Sequence, residues 1–132
     1  MGAAAVLALC LPPQPGAAPS LEDPVDLEAL LARAAALGAF PAVYQNLRVL
    51  RPNLTLPAAW EGRFRRNFVH NLALRQEESR WAAHLVEAGL ACRPVKGVRL
   101  VELLYPDLSW RRVADIDLLM PVSQVEAAYY AL

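Results

Sequence analysis

Two aspartates set two residues apart, Asp115 and Asp117, are the side chains of this sequence best placed to do chemistry. They stand in the run Arg112-Val113-Ala114-Asp115-Ile116-Asp117-Leu118-Leu119-Met120. The apolar neighbours Val113, Ile116, Leu118 and Leu119 predict a strand from Val113 to Val122. On a strand, residues i and i+2 point to one face. Two carboxylates on one face of a buried strand end repel each other, and their desolvation is costly without a partner. A divalent cation answers both problems. Mg²⁺ takes oxygen ligands and is typically held by one or two carboxylates together with substrate phosphates. On spacing alone, a solvated strand end or ion pairs to Arg111 and Arg112 account for the two aspartates at least as well.

Upstream, Lys96-Gly97 falls between an expected strand and an expected helix. Glycine there permits close approach of a ligand to the backbone, and a helix N-terminus attracts phosphate. Lys96 adds a point charge. Alone, the pair also fits an ordinary strand–helix turn. Before a helix and an Asp-x-Asp strand, it becomes part of a constellation. Other residues carry weaker signals. Arg63, Arg65 and Arg66 read as a solvated helix face or as a contact for a polyanion. His70 and His84 have no Cys or His partner at metal spacing. Trp110 packs on the sheet or stacks on a base, and Asp107 makes a turn.

The elements that must position these residues follow from periodicity and from Pro/Gly punctuation. Leu27, Leu30, Leu31, Ala34 and Leu37 recur at helical spacing from Asp26, and Gly38 closes that helix. Pro41 opens the next, with Val43, Tyr44, Leu47 and Leu50 on one face. Pro57 suits the first turn of a long helix to about Glu87, closed by Gly89. Along it, Trp60, Phe64, Phe68 and Leu72 form an apolar ladder, continued by Trp81, Leu85 and Ala88. Leu90 to Val95 is then an edge or irregular strand, because of Arg93-Pro94. Gly97 to Tyr105 reads as a helix and Pro106 to Ser109 as a turn. After the aspartate strand, Ser123 is expected to cap a last helix from Gln124.

The totals bound the answer. A chain of 132 residues suggests one domain, and 56% hydrophobic against 20% charged residues excludes a disordered one. Thirteen basic and thirteen acidic residues cancel, so no global field draws it to nucleic acid or to an anionic membrane. Any phosphate binding must be local. Cys10 and Cys92 fit no metal spacing and suit buried thiols in a reducing cytoplasm. Ala3 to Leu11 is apolar but lacks the basic flank of a signal peptide and is too short to span a bilayer. The expectation there is a short helix or an apolar strip docked on the domain, then a Pro-rich linker from Pro12 to Pro19. No membrane partner is expected, and the location is cytoplasmic. The chain divides into an N-terminal segment and linker (1–20), a helical region (21–89) and a strand–helix–strand–helix core (90–132).

The run Val95-Lys96-Gly97-Val98-Arg99-Leu100, then Leu104-Tyr105-Pro106-Asp107, then Arg111 or Arg112, then Asp115-Ile116-Asp117-Leu118-Leu119 resembles the signature of the uncharacterised nucleotidyltransferase family. That family belongs to the wider DNA polymerase β-like nucleotidyltransferase superfamily. The resemblance extends to the helical prelude, from about Leu21 onward. It implies an α+β (or α/β) fold: a helical N-terminal region packed on a small, incomplete, mixed sheet. It implies Mg²⁺-dependent transfer of a nucleotidyl group from an NTP to an acceptor, which is a small molecule, a protein or a nucleic acid. By that resemblance Asp115 and Asp117 are the catalytic metal ligands of a two-metal site. Lys96 and Gly97 hold the place of the phosphate-binding turn, and Arg112, ahead of Arg111, neutralises phosphate. The wider superfamily has Gly-Ser or Gly-Gly at the turn, with a shorter gap to the aspartates. Lys-Gly-Val and the longer gap suit the narrower family. The superfamily's third carboxylate comes from a later strand, and Glu126 on the last helix is a poor substitute. The expectation is therefore a fragment or a truncated, inactive product carrying half of the metal site. The alternative is a non-catalytic helical interaction or nucleotide-binding module with a degenerate core.

Overall fold

The computed structural model describes residues 9–10 and 26–132. The Pro-rich linker and the turn at Ser20 to Pro24 lie outside them, as does most of the Ala3–Leu11 strip. Helices α1 (Leu27–Ala36) and α2 (Phe40–Leu50) lead into a long helix, α3 (Ala58–Glu87). Strand β1 (Arg93–Val95), helix α4 (Gly97–Leu104), strand β2 (Asp117–Leu119), a 3-10 turn (Val122–Gln124) and helix α5 (Val125–Ala131) follow. The class is α+β, and the sheet is a single antiparallel pair with Val95 opposite Asp117 and Arg93 opposite Leu119.

The helix ends obey local chemistry. Asp26 accepts a hydrogen bond from the Ala29 amide at 3.0 Å and caps α1. Pro41 sits in the first turn of α2, and Pro57 immediately precedes α3. Gly89 takes φ +78°, which lets the Leu90 amide reach back to the Leu85 carbonyl at 3.0 Å and stops α3. The last helix departs from expectation. Its entry is the 3-10 turn, with no side-chain cap from Ser123. Gln124 instead turns its side chain to accept from the Ala91 amide at 2.8 Å, tying this turn to the entrance of β1.

Two apolar clusters hold the chain. The first buries Leu9, Leu30, Leu31, Ala34, Phe40, Val43, Tyr44 and Leu47, with Trp60 and Phe64 of α3 packed against them. Phe40 and Trp60 pack at a tilt with centroids 5.0 Å apart, and Tyr44 meets Phe64 at 5.2 Å. Leu9 thus docks on the helical region, and Asn46 Nδ2 donates to its carbonyl at 2.7 Å. The second cluster buries Val98, Val101, Leu108 and Val113, with Leu72, Leu74 and Tyr105 against it. Helix α3, about 45 Å long at 1.5 Å per residue, serves both.

The apolar ladder along α3 is only partly realised. A four-residue step overshoots the 3.6-residue turn, and by Phe68 the side chain is 39% exposed. Ala88 is exposed and Trp81 half-buried. The buried positions of α3 are Asn67, Asn71, Glu78 and Leu85. Their spacings of four, seven and seven residues are those of a core stripe, yet three of the four are polar.

Candidate functional site

The predicted strand from Val113 to Val122 contracts to Asp117–Leu119. Side chains of α3 take over its first residue. Asn71 Oδ1 accepts from the Val113 amide at 3.2 Å, and the Val113 carbonyl lies 2.9 Å from His70 Nε2. A carbonyl only accepts, so Nε2 carries the proton. With both backbone groups so bound, Val113 has nothing left to offer a ladder. Just upstream, Asn71 Nδ2 donates to the Leu108 and Arg111 carbonyls at 2.6 Å each. Asn67 Nδ2 donates to the Ser109 carbonyl at 2.9 Å. The turn itself is closed by Asp107, which accepts from the Ser109 amide at 2.7 Å and from its hydroxyl. Asp107 is thus a turn residue, and Trp110 is buried beside Tyr105, 6.3 Å between centroids. The segment that delivers Asp115 and Asp117 is therefore clamped by three polar side chains of one helix.

The second half of the site comes from β1 and the start of α4. Because Val95 pairs with Asp117, the next residues, Lys96 and Gly97, turn beside the aspartate run. Gly97 has φ +40°, and a Cβ there would meet the Asp115 carbonyl oxygen at 3.2 Å and Val113 Cγ1 at 3.5 Å. Only glycine fits so tight a backbone contact without displacement. Lys96 has φ 54° and ψ −142°, a left-handed conformation outside the range comfortable for a side-chain-bearing residue. It is exposed and no side chain caps α4 there.

Helix α4 is fixed in turn by charge. Arg99 Nε lies 2.8 Å from Glu78 Oε1, and Glu78 is fully buried on α3. Burial pushes the Glu78 carboxyl above its usual range, while the Arg99 guanidinium holds it partly down. Arg99 also reaches Glu102 at 3.1 Å, and Arg75 of α3 meets Glu102 at 3.0 Å. This network docks the helix that opens on Lys96-Gly97.

Asp115 is exposed and Asp117 half-buried. Among the described residues neither forms an ion pair, so the salt bridges to Arg111 and Arg112 are not made. The described residues contain no group of three or more His, Cys, Asp or Glu able to hold a metal. The donor set at this point is two carboxylates, an oxygen-only set that suits a hard cation such as Mg²⁺. Arg112 is exposed and turns to a different wall. It lines an open cavity of about 270 Å³ with Arg63, Arg66 and His70 of α3 and the start of α2. The structure thus gathers Lys96, Gly97, Asp115 and Asp117 at one end of the sheet and sets Arg112 against α3. Cys10 and Cys92 are half-buried, and burial raises the pKa of each thiol. No described helix is long and apolar enough to cross a membrane.

Asn67 and Asn71 are positioning residues that sequence reasoning passed over, and His70, weighed there only as a lone histidine, positions the segment with them. The signal for the asparagines was their four-residue spacing, each one residue ahead of the ladder residues Phe68 and Leu72.

A family model described as "Uncharacterised nucleotidyltransferase" matches residues 23–132. No curated protein and no solved structure matches the chain.

Proposed function

The chain belongs to the uncharacterised nucleotidyltransferase family, and from that premise we propose that Lys96, Gly97, Asp115 and Asp117 form the metal- and phosphate-binding part of a Mg²⁺-dependent nucleotidyl-transfer site. The observation that carries the reading is the backbone contact between the Gly97 turn and Asp115. It puts the phosphate-binding candidate and the metal-binding candidate in one place, although 17 residues separate them in sequence.

Asp115 and Asp117 would hold the cation through carboxylate oxygens. Bound there, Mg²⁺ supplies Lewis-acid stabilisation of the charge developing on a transferring phosphoryl group. Gly97 lets a triphosphate approach the backbone at the start of α4, where amide groups favour anions. Lys96 contributes a cation at the same turn. Asn67, His70 and Asn71 keep the aspartate run in register, so the carboxylates need no reorganisation when charge arrives. The acceptor would meet the nucleotide on the exposed side of Asp115.

Calorimetric titration of MgATP and MgGTP into the wild-type chain and into Asp115→Asn/Asp117→Asn tests this. Loss of at least tenfold in affinity, equivalent to about 1.4 kcal/mol, is expected in the variant with its circular dichroism unchanged. Equal binding by both proteins, or none by either, sinks the proposal. Transfer of label from an α-labelled nucleotide into cell extract then identifies the acceptor.

A further inference from the structure

One cavity of the fold gathers positive charge with no acidic residue among the described residues that line it. Arg63, Arg66 and His70 project into it from α3, Arg112 from the segment before the aspartates, and Phe40 and Pro41 form the facing wall. Among the described residues none of these three arginines forms an ion pair. Their neighbour Arg65, by contrast, pairs with Glu61 at 2.6 Å and does not line the cavity. Arg63 is held in place by the Phe40 ring, with its guanidinium carbon 4.6 Å from the centroid. The chain as a whole has no net charge. Three unopposed guanidiniums around one concave space are therefore a local feature, not a consequence of a basic protein.

We propose that this cavity is an anion-binding site for a phosphate group of the acceptor substrate. The inference rests on the nucleotidyl-transfer reading. Guanidinium forks match the planar pairs of oxygens on a phosphate ester, and such charge-assisted hydrogen bonds are about twice as strong as neutral ones. A volume of about 270 Å³ holds a phosphate with part of its ester group. The location suits an acceptor. Arg112 and Asp115 are three residues apart, so their Cα atoms lie within about 11 Å of each other. An acceptor anchored by its phosphate at Arg112 can therefore present a nucleophile to a nucleotide held at the aspartates. The first turn of α2 adds no acidic residue that would oppose an anion.

The test uses inorganic phosphate, pyrophosphate and MgATP as probes, titrated into four proteins: wild type, Arg63→Gln/Arg66→Gln, Arg65→Gln and Asp115→Asn/Asp117→Asn. The Arg63/Arg66 variant is expected to bind metal-free phosphate and pyrophosphate at least tenfold more weakly. It should retain MgATP within about threefold. Arg65→Gln, which removes one guanidinium of the same helix from outside the cavity, should bind all three probes as wild type does. The aspartate variant should keep phosphate binding and lose MgATP. If Arg65→Gln weakens phosphate as much as the Arg63/Arg66 change does, the binding is unspecific and the cavity proposal falls. If the Arg63/Arg66 variant loses MgATP together with phosphate, the cavity holds the nucleotide's own triphosphate and the acceptor assignment is overturned. Failure of MgATP to bind wild type overturns the transfer reading and the acceptor assignment with it, while metal-free phosphate still reports on anion binding in the cavity.

Discussion

Lys96 holds a backbone conformation, φ 54° and ψ −142°, that glycine adopts freely and other residues avoid. Such a conformation costs about 1–3 kcal/mol. Lys96→Gly removes that strain. It also adds chain entropy to the unfolded state, which costs about 0.5–1 kcal/mol. The net expectation is a gain of roughly 1 kcal/mol, or about 4 °C in midpoint for a chain of this size. Lys96→Ala keeps a Cβ and therefore keeps the strain. Because the Lys96 side chain is exposed, its loss alone should leave the midpoint within about a degree. Thermal melts of the three chains followed by circular dichroism read the difference, and MgATP titration follows on the same samples. Both variants lack the ammonium and should bind MgATP several-fold more weakly. A glycine variant that melts at or below the alanine variant refutes the strain. The sequence would then have lysine at this turn for its fit alone. A glycine variant that is more stable yet binds less well shows stability given up for charge at a ligand-facing turn.

Two further outcomes follow from the clamp and the network. Asn71→Ala strips partners from the Leu108 carbonyl and the Val113 amide and leaves Arg111 with one long bond to Asn67. Unsatisfied buried groups cost about 1–3 kcal/mol each, so urea titration should show a loss of roughly 3 kcal/mol. MgATP affinity should fall as well, although Asn71 touches no ligand; unchanged affinity in the folded variant would deny its positioning role. Glu78 has a raised pKa because it is buried. The folded chain therefore binds that proton more tightly than the unfolded chain does. Its stabilising contribution is full below the ordinary carboxylate range near pH 4.5 and is lost as pH rises through the raised value. In Glu78→Gln that slope should vanish, with stability at neutral pH equal to wild type or higher. A wild-type midpoint that rises relative to Glu78→Gln over the same pH window would show that the Arg99 pairing dominates burial.

Much of this architecture is written in punctuation. Pro41, Pro57 and Gly89 bound α2 and α3 where their backbone preferences require, and Lys96-Gly97 opens α4 as its spacing suggests. The aspartate strand is the instructive miss. Its apolar residues predict ten residues of strand, but three form a ladder: the partner strand offers only Arg93 to Val95, and at the start Asn71 and His70 bind the backbone of Val113 from 42 and 43 residues away. Periodicity reports which face of a residue is apolar; it does not report who binds the main chain. The same blindness hid Asn67 and Glu78, whose burial is stabilised by partners remote in sequence. Lys96, Gly97, Asp115 and Asp117 were legible as a local motif. Arg63 and Arg66 read as a solvated face, since the wall that makes them a cavity comes from the turn between α1 and α2.

The long helix has one more consequence. Its first turns are packed into one apolar cluster, its middle grips the aspartate segment, and its later turns seat α4 through Glu78 and Arg99. A rod shared in this way should make the two clusters melt as a single cooperative unit, since fraying its middle exposes both. Amides around Asn67 to Glu78 should be the slowest in the chain to exchange with solvent. A ligand that tightens the grip at Asn71 will then raise protection at both ends of α3, carrying news of occupancy to the helical region without moving any domain.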